Sequence, residues 1–60
     1  MNPLLLNIKD VMDVTSMSRS SIYRMINQDQ FPKQKSIGER QVRWSTQEIT
    51  DWCEQMISAN

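Results

Sequence analysis

The sequence predicts a mainly α-helical domain carrying one small β-hairpin. Three observations lead there. Two short stretches with apolar residues at helical spacing, around Val11 and Ile22, lie on either side of a very short polar turn. Pro32 and the single glycine, Gly38, then break the helical pattern, and Val42 and Trp44 alternate with Gln41 and Arg43 at a period of two. After a serine at position 45, Ile49, Trp52, Cys53 and Met56 return to helical spacing.

Each element follows from local chemistry. Asn7 can cap a helix, and Asp10 three residues on makes a capping-box-like pair. Leu6 before the cap and Val11 at the fourth helical position fit a hydrophobic staple. Ile8, Val11 and Met12 share one face, and the weak helix formers Val14, Thr15 and Ser16 end the run, so the first helix is read as residues 8–14. Ser18 restarts the pattern as a second cap. Ile22, Met25 and Ile26 repeat at helical spacing, giving a second helix over residues 19–28, which Pro32 forbids from continuing. Residues 33–44 read as a two-stranded hairpin turning at Gly38, Glu39 and Arg40. Ser45 with Glu48 forms another capping-box pattern, and the last helix is read as residues 46–57, with Ser58, Ala59 and Asn60 frayed. Helix, tight turn, helix, hairpin and helix in this order is the arrangement of a winged helix-turn-helix, here one domain over residues 1–60.

Composition narrows the functions. A chain of 60 residues buries only about 60% of its unfolded surface, which leaves a thin core and no room for a deep catalytic pocket. There is no histidine and one cysteine, so neither an internal disulfide, nor a Cys/His metal cage, nor a histidine-based catalytic centre can be built. No glycine-rich phosphate loop is present either. An enzyme is therefore not expected, and no cofactor is implied. The longest apolar run, Leu4, Leu5 and Leu6, falls far short of the roughly 20 residues that span a bilayer. No basic region precedes it, as a signal peptide would require. With its unpaired cysteine the chain reads as cytoplasmic, with no membrane partner.

The net charge is zero, but the charge is segregated. Residues 19–43 carry an excess of four positive charges and residues 44–60 an excess of three negative ones. A basic middle beside an acidic tail points to a polyanion on one face. Advancing about 100° per residue along the second helix, Ile22, Met25 and Ile26 centre on one side and Ser20, Arg24 and Asn27 on the other, with Tyr23 and Gln28 flanking. A guanidinium, an amide, hydroxyls and a phenol are groups that read base edges in a major groove. Ser18, Arg19 and Ser20 stand at the helix N-terminus, where free N–H groups and the dipole favour phosphate. In the hairpin, Arg40 at the tip and Arg43 on the outward side could follow a backbone or enter a minor groove, and Lys33 and Lys35 alternate on the first strand toward phosphate. Four to six phosphate contacts would give a log–log salt slope of about −4 to −5.

Plainer roles stand beside these. Ser18 is a cap in any case. Arg19 and Arg24 could be solvated surface charges, Tyr23 could be half-buried against the hairpin, and Arg43 could pair with an acid of the last helix. Trp44 and Trp52 are read as core, as are Met12, Met17, Met25 and Met56, with Cys53 an inert small hydrophobe.

From about Leu5 to Trp52 the chain resembles the AlpA family of small prophage regulators, relatives of the winged-helix domains of MerR-type regulators and of phage excisionases. The matching pieces are NIKDV at residues 7–11, SRSSIYRMI at residues 18–26, the pair Phe31 and Pro32, and VRW at residues 42–44 before a polar cap and the final helix. The resemblance implies double-stranded DNA as partner and a role in prophage or genomic-island control, as transcriptional regulator or as excisionase beside an integrase. It implies a nucleoid location, contact with integrase or RNA polymerase, and cooperative self-association on DNA. It makes Arg19, Ser20, Ser21, Tyr23 and Arg24 contact candidates at the start of the recognition helix, with Arg40 and Arg43 in the wing. The chain departs from the family pattern at Met12, where alanine is usual, and at Ser16, where a turn glycine is common. A left-handed serine there costs about 1 kcal/mol. The competing reading is a protein-interaction module that binds an integrase or regulator through its acidic C-terminal helix.

Overall fold

The structure is a computed structural model that describes residues 4–59. The elements run β1 (Leu5–Leu6), α1 (Ile8–Thr15), α2 (Arg19–Asn27), β2 (Lys35–Gly38), β3 (Gln41–Ser45) and α3 (Thr46–Ser58). Three helices around a small antiparallel sheet confirm the winged helix-turn-helix expected from the pattern. The sheet has three strands, not two, in the order β1-β3-β2. The added strand is part of the leucine run. Leu5 pairs with Ser45 and Leu6 with Trp44, and the Thr46 N–H donates to the Leu4 carbonyl at 3.0 Å. Two residues carry no readable alternation, so only the ladder reveals them as strand.

The helix boundaries differ by a residue from the sequence reading, each for a local reason. The Asn7 cap is a complete box: the Asn7 side chain accepts from the Asp10 N–H at 2.8 Å, and the Asp10 carboxylate accepts from the Asn7 N–H at 3.3 Å. At the other end α1 takes in Thr15, whose hydroxyl donates back to the Val11 carbonyl at 2.7 Å. Ser16 then adopts φ 58°, the left-handed turn anticipated for it. Its φ value lies where glycine is the low-cost residue.

α2 stops at Asn27, ahead of Pro32. The Gln30 N–H donates to the Met25 carbonyl at 2.8 Å and the Asp29 N–H to the Ile26 carbonyl at 3.1 Å, with Asp29 at φ 57°. This is the Schellman closure, with aspartate in the left-handed position usually given to glycine. The chain beyond is fastened by two indoles. Trp52 Nε1 donates to the Gln30 carbonyl at 2.9 Å, and Trp44 Nε1 to the Pro32 carbonyl at 3.0 Å. Because residues 30–32 are held this way, the hairpin begins at Lys35 rather than at residue 33 and ends at Ser45.

Within the hairpin Lys35 faces Arg43, Ser36 faces Val42 and Gly38 faces Gln41, which leaves Ile37 as a bulge. Arg40, not Gly38, takes the positive φ of the turn, at 59°. α3 follows β3 without a linker. Ser45 Oγ accepts from the Glu48 N–H at 3.3 Å, as the cap pattern requires, while the Glu48 carboxylate turns toward Lys35. Ser58 stays helical instead of fraying, and the Ala59 N–H still donates to the Gln55 carbonyl. Asn60 lies outside the described residues.

The core gathers Leu6 from β1, Val11 from α1, Ile22 and Ile26 from α2, Trp44 from β3 and Ile49 from α3, together with Phe31 from the α2–β2 connection, while β2 lies wholly exposed. Trp44 is fully buried at its centre, and removing about 150–250 Å² of indole surface from water stabilises by about 4–6 kcal/mol. Met12, Met17, Met25, Trp52 and Cys53 pack on its edge as partly buried groups, which fits the core reading. Met56 departs from it. It is 45% exposed, because α3 outruns the two-layer core by more than a turn.

Candidate nucleic-acid interface

α2 is positioned by its core-facing side. Ile22 and Ile26 are buried, and Met25 rests on the core margin. That anchoring fixes what the helix presents outward. Arg19, Ser20, Arg24 and Asn27 are exposed, while Ser21 and Tyr23 are half-buried. Ser18 acts as the expected cap: its Oγ accepts from the Ser21 N–H at 3.2 Å and donates to the Ser21 hydroxyl at 2.9 Å. The two serines thus organise the helix start, leaving Ser20 as the exposed hydroxyl of that turn. Tyr23 packs edge-on against Trp44, with ring centroids 6.2 Å apart at 64°. Its ring is tied to the core.

The wing cations divide into two kinds. Arg40 stands exposed at the hairpin tip, where it holds the left-handed backbone of the turn. Arg43 is half-buried and donates from Nη1 to the Val42 carbonyl at 2.7 Å, so it braces its own strand rather than pairing with an acid of α3. The lysines are each opposed by a carboxylate. Lys33 Nζ lies 3.2 Å from Asp29 Oδ1, and Lys35 Nζ lies 3.0 Å from Glu48 Oε1. Glu48 Oε1 itself is shielded from water, although the Lys35 and Glu48 side chains as a whole stay partly exposed. Lys33 lies outside β2, so the expected alternation of the two lysines along one strand does not occur. Sequence reasoning missed these pairs because Glu48 and Lys35 belong to different elements. Asp29 and Lys33 lie beyond the end of α2, where the helical i,i+4 rule does not apply, so their approach depends on the left-handed turn at Asp29.

Among the described residues Arg19, Arg24, Arg40 and Arg43, and Lys9 of α1, therefore enter no ion pair, whereas Lys33 and Lys35 do. No group of three or more potential metal ligands occurs among those residues, and no helix there is long and apolar enough to cross a membrane.

A short turn joining two helices, with a hairpin and a further helix closing the core, defines this as a small winged helix-turn-helix protein. The profile of a family described as Prophage CP4-57 regulatory protein (AlpA) matches residues 4–57. The chain belongs to that family of prophage regulatory proteins. A protein of Enterobacteria phage P4, described as "Uncharacterized protein ORF88", is 40% identical over 47 residues, which is 78% of this chain and 53% of that protein. The chain spans about half the length of this curated relative. No solved structure matches it.

Proposed function

We propose that the protein is a sequence-specific DNA-binding regulator of a prophage or genomic island. α2 enters a major groove and the β2–β3 wing grips the neighbouring backbone. The observation that carries this reading is the exposed face of α2. Arg24, Asn27 and Ser20 stand clear of the core on a helix whose opposite side is sealed by Ile22 and Ile26. Arg24 suits a guanine edge and Asn27 an adenine edge. Ser18, Arg19 and Ser21 offer the N-terminal turn of α2 to a phosphate, and Tyr23 lends its hydroxyl while its ring stays packed. Arg40 reaches the backbone or the minor groove from the wing tip, with Arg43 beside it.

The ion pairs revise the electrostatics. With Lys33 and Lys35 neutralised, four arginines remain among the candidate contacts to release counterions, and the expected salt slope falls to about −3 to −4. Affinity for one site is then modest. The protein acts at repeated sites, through cooperative self-association, or beside an integrase or RNA polymerase, as excisionase or transcriptional regulator in the cytoplasm.

The test is a titration of DNA flanking its own gene and the integrase attachment site of its element, against a scrambled duplex, at two salt concentrations. Specific binding should weaken by about 1–3 kcal/mol in Arg24→Ala. Equal affinity for target and scrambled duplex, unchanged in Arg24→Ala, would refute the reading.

A further inference from the structure

The faces of the molecule differ in chemistry. Away from the exposed side of α2, the end of that helix, residues 29–32 and α3 enclose an open groove of about 770 Å³. Met25, Phe31, Trp52 and Met56 are among its lining residues, with the carboxylates Asp29, Glu48 and Asp51. Asp29 and Glu48 are already paired with Lys33 and Lys35, so Asp51, with the neighbouring Glu54, is the carboxylate there outside any ion pair among the described residues. Phe31 and Trp52 meet edge-on at 4.7 Å, and Trp52 is fixed by its bond to the Gln30 carbonyl, so the aromatic wall is rigid. Met56 and the adjoining Ile57 are 45% and 74% exposed. α3 bears Glu48, Asp51 and Glu54 and no basic residue.

We infer that this groove is a docking site for a partner protein segment that presents a bulky apolar side chain flanked by lysine or arginine. Aromatic and methionine side chains are the groups that concentrate binding energy at protein interfaces, and a rigid aromatic wall beside a flexible methionine accepts an anchor of variable shape. The unpaired carboxylates Asp51 and Glu54 decide the occupant. They repel nucleic acid from this side of the molecule. They also disfavour a two-fold contact between copies, because such a contact sets Asp51 and Glu54 of one copy against those of the other. A basic segment meets no such penalty. The site is separate from the exposed face of α2, and the inference stands whether or not α2 reads DNA.

The test uses the full chain and a fluorescein-labelled, end-capped hexapeptide, Lys-Lys-Phe-Leu-Lys-Lys. Two controls accompany it: one with both apolar residues replaced by alanine, one with all lysines replaced by glutamate. Anisotropy measures affinity, and amide chemical shifts locate the site. Saturable binding at least about tenfold tighter than either control is expected, with shifts centred on Phe31, Trp52 and Met56. Met56→Lys and Asp51→Lys, both at exposed positions and checked for folding by circular dichroism, should each weaken it about tenfold. Equal binding of a control, binding unaffected by both variants, or no binding at millimolar peptide would overturn the inference. So would sedimentation showing that the protein alone self-associates and that Met56→Lys abolishes it, since a second copy would then be the occupant.

Discussion

Glu48→Gln separates the two roles of one carboxylate. Glu48 sits in the first turn of α3 and holds Lys35 at 3.0 Å, with the Lys35 and Glu48 side chains 58% and 44% exposed. An ion pair that open to solvent contributes about 0.2–1 kcal/mol, so a phosphate can compete for the lysine, but only against the carboxylate. Glutamine keeps the shape and removes the charge. Lys35 then becomes a fifth cation available to DNA, and the salt slope should steepen by about 0.9. Between 50 and 200 mM salt, that increment corresponds to about a 3.5-fold greater loss of affinity than in the wild-type chain. Low-salt affinity for a scrambled duplex should rise, since the gain is independent of sequence. Losing a carboxylate near the helix N-terminus should cost about 0.3–1 kcal/mol of stability, so the variant binds more tightly while melting lower. Anisotropy titrations at four salt concentrations, with a thermal melt, measure both. A slope equal to or shallower than wild type, in a folded variant of a protein that binds DNA, would refute the assignment of Lys35 as a masked phosphate contact.

Other outcomes follow from single residues. Ser16→Gly should stabilise by about 1 kcal/mol, a rise of roughly 4–8 °C in melting temperature for a domain of this size, because Ser16 holds φ 58° at the end of α1. An unchanged or lower Tm would show that the left-handed serine is not strained. Trp44→Phe should destabilise by about 1–3 kcal/mol beyond its lost area by stranding the Pro32 carbonyl, and the Gln30 amide, bonded to the Met25 carbonyl beside it, should lose hydrogen-exchange protection early. Asp29→Ala should shorten α2 and lower stability by about 1 kcal/mol, seen as a melting shift, because alanine is disfavoured at the left-handed closure where Asp29 now sits.

The helices were legible because their information is local. Asn7 with Asp10, Ser18, and Ser45 with Glu48 mark starts that need no knowledge of distant residues, and all three side chains accept the bonds their spacing implies. The exposed set on α2 was legible for a related reason: once Ile22 and Ile26 must be buried, helical geometry alone dictates that Ser20, Arg24 and Asn27 are not. Turn chemistry was less transparent. The left-handed positions fall on Ser16, Asp29 and Arg40, while Gly38, which the glycine rule favours, sits in a strand at ordinary φ. Sheet register and the Ile37 bulge moved the turn two residues along from it.

By itself the sequence determined the order of helices, the turn between the first two, the hairpin, and the segregation of positive from negative charge. Each of these depends on residues within a few positions of one another. Tertiary structure alone decided which cations are available. Lys35 and Glu48 are thirteen positions apart, and whether they meet depends on how β3 delivers α3 beside β2. It also decided that two leucines would complete the sheet, that two indoles would tie down residues 30–32, and that Met56 would overhang the core. These outcomes turn on distances between elements, and no spacing along the chain encodes a distance that only packing sets.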